Sequence, residues 1–76
     1  MKDLLEVIAK ALVDEPDEVK VSEVEGEQSV ILELRVADSD MGKVIGKQGR
    51  IAKSIRTVMK AAANRENKRV VVEIMQ

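Results

Sequence analysis

Two glycines interrupt a helical pattern within four residues in the stretch VIGKQGRIAKSIR, which occupies positions 44–56. Glycine is a poor helix former because it loses more conformational freedom on ordering than any other residue. Gly46 and Gly49 therefore predict a tight reversal between two helices in place of one continuous helix. The residues between them, Lys47 and Gln48, are a cation and an amide, and a turn with a purely structural role requires neither.

The stretch KDLLEVIAKALVDEP near the start of the chain predicts a first helix. Pro16 should end it, because the residue before a proline is biased away from helical dihedrals. Asp3 is the expected N-cap, and Glu6, three residues later, completes a capping box. The apolar stripe of this helix, at helical spacing, consists of Leu4, Leu5, Ile8, Ala11 and Leu12.

The next segment, residues 18–36, alternates apolar and polar residues and predicts a hairpin with its turn at residues 25–28. Val24 falls outside the alternation begun by Val19 and Val21, which predicts a bulge in the first strand. In the second strand one face carries Val30, Leu32, Leu34 and Val36.

A short helix and a longer one flank the glycine loop. Asp38, Ser39 and Asp40 are good caps for the short helix, and Gly46 should end it. The longer helix has the apolar stripe Ile51, Ile55, Val58, Met59 and Ala62. A last strand follows, with Val70, Val72 and Ile74 directed inward.

The predicted order is α-β-β-α-α-β. A tight turn makes the first two strands antiparallel, and a crossover through two helices makes the second and third parallel. The sequence thus predicts an α+β fold: a three-stranded mixed sheet, second strand central, covered on one face by three helices. At 76 residues we expect one domain spanning positions 1–76.

Composition excludes several kinds of function. Cysteine and histidine are absent, which removes disulfides, thiolate metal sites and imidazole catalysis. Aromatic residues are absent too, which excludes an RRM, whose motifs stack bases on aromatic rings. No segment resembles a signal peptide or a membrane span, so we expect a cytoplasmic protein that does not associate with a membrane.

The net charge of −1 conceals a strong segregation. Residues 1–41 carry four bases and twelve acids, a balance of −8, whereas residues 42–69 carry nine bases and one acid, a balance of +8. Such asymmetry indicates a polyanionic partner for the basic half, with a solvated helix face in a well-mixed fold as the alternative.

The glycine loop has the chemistry of a docking point for a phosphodiester backbone. Residues without Cβ let another backbone approach closely, and the amides at the start of the next helix are unpaired within it. They present the positive end of the helix dipole, to which Lys47 adds a full charge. The spacing matches neither a Walker A loop nor a dinucleotide fingerprint, so we expect no nucleotide cofactor and no metal.

The motif VIGKQG between two helices, in the order α-β-β-α-α-β, resembles a type II KH domain. The resemblance covers nearly the whole chain. The stretch IGKQGRIAKSIRTVMKAAA is especially similar to the small single-KH bacterial RNA-binding proteins of the KhpA type. One position departs from the general KH pattern. Ala52 stands three places after the second glycine, where an aliphatic residue is common, and this is expected to change the depth of the groove.

The resemblance implies a groove for single-stranded RNA that uses no aromatic ring. Val44, Ile45 and Val71 could offer apolar contact to bases, although the first two also fit a core. Lys53 is a further candidate contact, unless it and Lys60 only form a solvated helix face. Arg69 could instead pair with an acid on the neighbouring strand. The candidate RNA-binding residues implied for the clamp are Lys43, Gly46, Lys47, Gln48, Gly49 and Arg50, and those for the far wall are Arg65, Lys68 and Arg69.

The resemblance also implies partners and a role. It implies self-association as a homodimer, pairing with a larger KH-containing RNA-binding protein, and work in post-transcriptional regulation or as an RNA chaperone. The alternative is a protein-interaction module on a KH scaffold, which would have little reason to keep the intact Ile45-Gly46-Lys47-x-Gly49. Catalysis would require paired carboxylates or a lysine nucleophile, and the acids here read as a solvated surface, so no enzyme is expected.

Overall fold

The predicted order of helices and strands is present in the computed structural model, which describes residues 1–75. Short 3₁₀ turns, at Pro16–Glu18, Asp38–Asp40 and Lys47–Gly49, precede β1, α2 and α3 respectively. The elements are α1 (Lys2–Leu12), β1 (Lys20–Glu25), β2 (Ser29–Arg35), α2 (Met41–Ile45), α3 (Arg50–Arg65) and β3 (Arg69–Met75).

The sheet has the predicted topology, with the order β1-β2-β3. β1 and β2 are antiparallel, and β2 and β3 are parallel. The β1–β2 register runs without interruption from one end of β1 to the other, so the predicted bulge is wrong. Val24 keeps strict alternation and lies opposite Ile31 on the face that the helices leave open, which is why it looked out of phase.

One face of the sheet forms the core, as predicted. The predicted inward residues of β2 are buried, as is Val72 of β3, and they pack against Leu5 of α1, Val44 of α2 and Met59 of α3. The opposite face remains accessible. Val24, Ile31 and Val71 on that face are 61%, 37% and 53% exposed.

The start of α1 differs from the prediction. The helix begins at Lys2, its N-cap is Met1, and no side chain caps it, so the capping box of Asp3 and Glu6 is wrong. The Lys2 amide donates to the Glu23 carboxylate of β1 at 3.2 Å, and this distant acceptor permits an earlier start. Leu5 and the small Ala9 are the residues that α1 buries.

The buried face of α3 is also rotated from the predicted stripe. Ala52, Ile55, Met59 and Ala63 are buried, whereas Val58 is 45% exposed. Alanines at both ends of the contact let the helix lie close to the sheet, and the pattern of large apolar residues alone did not reveal this.

Asp40 does not cap its own helix, contrary to the prediction. Its side chain is 1% exposed, and its two oxygens accept the amides of Asp14 and Glu15 at 3.2 and 3.0 Å. The carboxylate thereby ties the α1–β1 connection to the start of α2. Gly46 follows the last residue of α2 with a φ of 77°, which confirms it as the terminator.

Candidate nucleic-acid interface

Gly46 is required by the close packing of the loop against α3. Its φ of 77° and ψ of 174° lie in a region that is essentially restricted to glycine. A Cβ at this position would lie 2.5 Å from Cγ1 of Ile51, in the first turn of α3. The Gly46 amide donates to the Gly42 carbonyl at 2.8 Å, which closes the last turn of α2. The loop therefore leaves α2 at a fixed angle, held against the next helix.

The outer side of the loop is open. Gln48 and Gly49 have φ values of 58° and 74°, both in the left-handed region. Gln48 tolerates this conformation at some cost, and its side chain accepts a hydrogen bond from the Arg50 guanidinium at 3.4 Å. A Cβ at Gly49 would meet nothing within 4 Å, so this side of the loop accepts the close approach of another molecule.

The start of α3 lies directly behind this open side. Gly49 is its N-cap, no side chain caps the helix, and its first turn contains no acidic residue. The Arg50 amide donates to the Lys47 carbonyl and closes the preceding 3₁₀ turn. No side chain caps the amides that follow it, which lie at the positive end of the dipole of this 16-residue helix. Lys47 and Arg50 are exposed beside them, and Lys53 is exposed one turn further along. The structure therefore places Gly46, Lys47, Gln48, Gly49 and Arg50 together at the loop, with Lys53 one turn away. That these residues contact RNA stays a prediction.

Lys43 lies near this loop, but its ammonium group is occupied. Its Nζ is 3.1 Å from Asp14 Oδ2 and 3.5 Å from Asp40 Oδ1. The hydrogen bond and the charge of Asp14 raise the pKa of the Lys43 ammonium, and Asp40 adds to this effect. Its role as an RNA contact stays a prediction, and its structural task is to balance the buried Asp40.

The far-wall residues lie at the other end of α3, which is about 24 Å long. Arg69 is exposed there and lines an open hollow of about 620 Å³. Arg65 is also exposed, but it lines a separate hollow with Leu4 and Val58, between α1 and α3. Lys68 forms an ion pair with Glu25 of β1, and its hydrogen bond and charge lower the pKa of the Glu25 carboxyl. The clamp and the far wall are therefore two ends of one surface and not a single cluster. The far hollow is lined by Gln28, Asn64, Asn67, Lys68 and Arg69.

A groove between α3 and the edge strand β3 occupies the space between these two ends. It contains a hollow of about 250 Å³ lined by Arg56, Lys60 and residues 70–72. The sequence analysis did not select Arg56 as an RNA contact. The Arg56 Nε donates to the Val72 carbonyl at 3.3 Å. The signal that pointed to it was its place on the polar side of α3, two turns after the glycine loop. Val44 has no exposed surface, so it belongs to the core and does not contact bases.

Most cations of the basic half form no ion pair with the carboxylates of residues 1–75. Of its nine cations, Lys43 and Lys68 form ion pairs with carboxylates of residues 1–75, and the other seven form none within that part of the chain. Residues 1–75 contain no group of acidic side chains arranged to hold a metal ion. Nor does any helix within them have the length and apolar character needed to cross a membrane.

Comparison with known proteins identifies relatives along the full chain. Residues 2–74 match the model of the family described as KhpA/KhpB, KH domain. The chain is 80% identical over 75 residues to the RNA-binding protein KhpA of Clostridium acetobutylicum, covering 99% of this chain and 100% of that protein. It is 53% identical over 76 residues to the RNA-binding protein KhpA of Aquifex aeolicus, covering 100% of this chain and 96% of that protein.

A solved structure shares the fold. Part of Era, in a crystal structure with MgGDPNP and nucleotides 1506–1542 of 16S ribosomal RNA, superposes with a TM-score of 0.58 at 20% identity. The match covers 96% of this chain and 28% of the Era chain. Together with the family match, it confirms the predicted α+β architecture as a type II KH fold.

Proposed function

Because the chain belongs to the KhpA/KhpB KH-domain family, we propose that it is a non-catalytic RNA-binding protein that holds single-stranded RNA at residues 46–49. The curated relatives are named RNA-binding protein KhpA, and the match to this chain covers essentially their whole length. In this proposal residues 1–76 act as one KH domain in the cytoplasm, without a cofactor. The role proposed for it is post-transcriptional regulation or RNA chaperoning.

The observation that carries the proposal is the open, uncapped junction between the loop and α3. Phosphate oxygens need hydrogen-bond donors and positive charge. The Arg50 amide is already bonded to the Lys47 carbonyl, but the amides that follow it in the first turn of α3 meet no capping side chain and no acidic residue. Gly49 leaves room for the sugar–phosphate chain, and Lys47 adds a cation that pairs with no carboxylate of residues 1–75. An anionic backbone is therefore the ligand that this junction fits best.

The remaining basic residues extend the contact along α3. Arg50 and Lys53 continue from the loop, and Arg69 lies at the far end of the groove, at the start of β3. Arg65 ends α3 and adds its charge beside the hollow between α1 and α3. Lys43 and Lys68 contribute less, because each is already paired with acids of the first half. Contacts of this kind make binding depend on salt, with a slope of about −0.7 per neutralised phosphate for single strands.

Replacing Lys47 and Gln48 together with aspartate tests the clamp. Both side chains are exposed, and aspartate accepts the left-handed conformation of Gln48. The free energy of unfolding should therefore change by no more than about 0.5 kcal/mol. RNA affinity should fall at least about tenfold, because one cation is lost and two anions face the phosphates.

The matched control is the double variant Lys20→Asp and Ser22→Asp. It makes the same change in charge at two exposed positions of β1, the strand at the opposite edge of the sheet from β3. Affinity and thermal unfolding are measured for both double variants by titration with labelled single-stranded RNA and by circular dichroism. An equal loss of RNA affinity in both double variants would mean that net charge alone causes the effect. Unchanged RNA binding in the loop variant would show that the loop is only a turn. A duplex that binds as well as a single strand of equal length would contradict the groove.

We also propose that the protein pairs with a second copy of itself or with a larger KH-containing RNA-binding protein. A groove that holds about four nucleotides gains affinity from a second linked groove. Two exposed apolar surfaces support pairing: the open face of the sheet around Ile31, and the groove between α1 and α3 beside Leu12 and Val58. If the protein pairs but does not bind RNA, it acts as an interaction module on a KH scaffold. RNA titration of wild type and of the variant with aspartate at positions 47 and 48 distinguishes this alternative from an RNA-binding protein.

A further inference from the structure

The groove between α3 and β3 contains an arginine that phosphate binding at the loop does not require. Arg56 comes seven residues after Gly49, about 10 Å further along the helix axis. It lines the hollow of about 250 Å³ together with Lys60 and residues 70–72 of the edge strand. This hollow lies beyond the clamp, between α3 and the edge strand.

The Arg56 guanidinium is held in place without being neutralised. Its Nε donates to the Val72 carbonyl at 3.3 Å, in a partly buried contact across the groove. No carboxylate among residues 1–75 pairs with it, in contrast to Lys43 and Lys68. A neutral anchor orients the planar group and preserves its full charge. The N–H groups that the anchor does not use remain available to a ligand.

The position of Val72 on an edge strand explains why its carbonyl is free to orient Arg56. The Arg69 amide donates toward β2, to the Gln28 carbonyl at 2.9 Å. Because alternate residues of a parallel strand bond to the same neighbour, the backbone groups of Val70 and Val72 point away from β2, into the groove. The backbone and the guanidinium therefore form one polar wall.

A guanidinium offers donors only, in a planar fork, and so it selects bases that offer two adjacent acceptors. Guanine does so at O6 and N7, and cytosine at O2 and N3, whereas adenine and uracil place a donor next to each acceptor. In a single strand these edges are not covered by pairing. Resting on the proposed RNA binding, we infer that Arg56 is a specificity-determining residue that makes the domain prefer guanine or cytosine at one position of the bound strand.

The test uses the full chain and short single-stranded RNA pools in which one position at a time is fixed as G, C, A or U. Wild-type protein should prefer G or C over A and U by about tenfold at one position. Arg56→Lys keeps the charge but removes the fork, so the preference should fall to about twofold or less while affinity for the A and U pools stays nearly constant. Lys60→Met, which removes a cation from the same hollow, should weaken all pools alike.

Each contrary result has a distinct meaning. A preference that persists in Arg56→Lys, or the absence of any such preference in wild-type protein, overturns the inference and leaves RNA binding standing. Uniform weakening of all pools by Arg56→Lys overturns it as well, because Arg56 would then be a phosphate contact. Wild-type protein that binds no pool overturns the proposed function itself. Thermal unfolding of both variants confirms that the fold is intact.

Discussion

Replacing Gly46 with alanine should destabilise the protein far more than the same change at Gly49, although both glycines have positive φ. At Gly46 the backbone conformation costs alanine about 1–3 kcal/mol. The new Cβ would also lie 2.5 Å from Cγ1 and 2.9 Å from Cβ of Ile51. Because Cβ is fixed to the backbone of α3, rotation of the Ile51 side chain cannot relieve this clash.

The overpacking adds about 1–3 kcal/mol to the backbone strain, for a total of about 2–6 kcal/mol. A chain of this length is stable by about 4–11 kcal/mol, so Gly46→Ala removes a large part of its stability. In Gly49→Ala the new Cβ meets nothing within 4 Å, so the free energy of unfolding falls only by the cost of the left-handed conformation, about 1–2 kcal/mol. Gly42→Ala, in α2 with open space around it, should be neutral or stabilising by up to about 1 kcal/mol.

Urea unfolding followed by the helical circular dichroism signal measures these three variants against wild type, since the chain has no aromatic residue to report by fluorescence. The expected order of stability is Gly42→Ala at or above wild type, then Gly49→Ala, then Gly46→Ala. Each 1 kcal/mol should lower the thermal midpoint by about 4–8 °C. If Gly46→Ala is no less stable than Gly49→Ala, the contact with Ile51 does not hold the loop, and the reasoning is refuted.

Three further outcomes are expected. Burial raises the pKa of the Asp40 carboxyl, but two backbone amides and a lysine outweigh it and hold that pKa below its ordinary value. Its contribution to stability is therefore complete above the unfolded pKa of about 3.9 and is lost as the pH falls through the folded value. The decrease in the free energy of unfolding below about pH 4 should be smaller in Asp40→Asn than in wild type or in the exposed control Asp38→Asn. Equal decreases in acid denaturation would contradict this. For self-association, Ile31→Asp and Val58→Asp each place a charge on one of the two exposed apolar surfaces, and in sedimentation the variant that dissociates to monomers identifies the paired surface. A wild-type protein that sediments as a monomer at tens of micromolar would argue against pairing. Finally, Gly49→Ala should weaken RNA binding in titrations while remaining folded, because its Cβ occupies the space for the phosphate chain; unaltered affinity would place that chain elsewhere.

Local sequence patterns predicted most of the fold correctly. The alternation of Val30, Leu32, Leu34 and Val36 places these four side chains on one face in any extended strand, so burial of that face was predictable. Gly46 as the end of α2 was predictable for a similar reason, since a positive φ at a helix end strongly favours glycine.

The failures concern the rotation and partners of the elements. Val58 was expected in the core, but the large residues of α3 do not by themselves reveal how far a helix turns when Ala52 and Ala63 permit close packing. Val24 was expected at a bulge because its exposure depends on the register with β2.

The candidate site divides in the same way. The 46–49 loop and its cations are adjacent in the chain, so the sequence by itself determined that glycine flexibility, unpaired helix amides and positive charge would meet at one place. Only the tertiary structure decided which cations remain free and which are already paired. Lys43 meets an acid 29 residues away, and Arg56 meets the carbonyl of Val72, 16 residues away. Such contacts depend on how the helices lie against the sheet, and that arrangement is set by packing across the whole core and not by any local pattern.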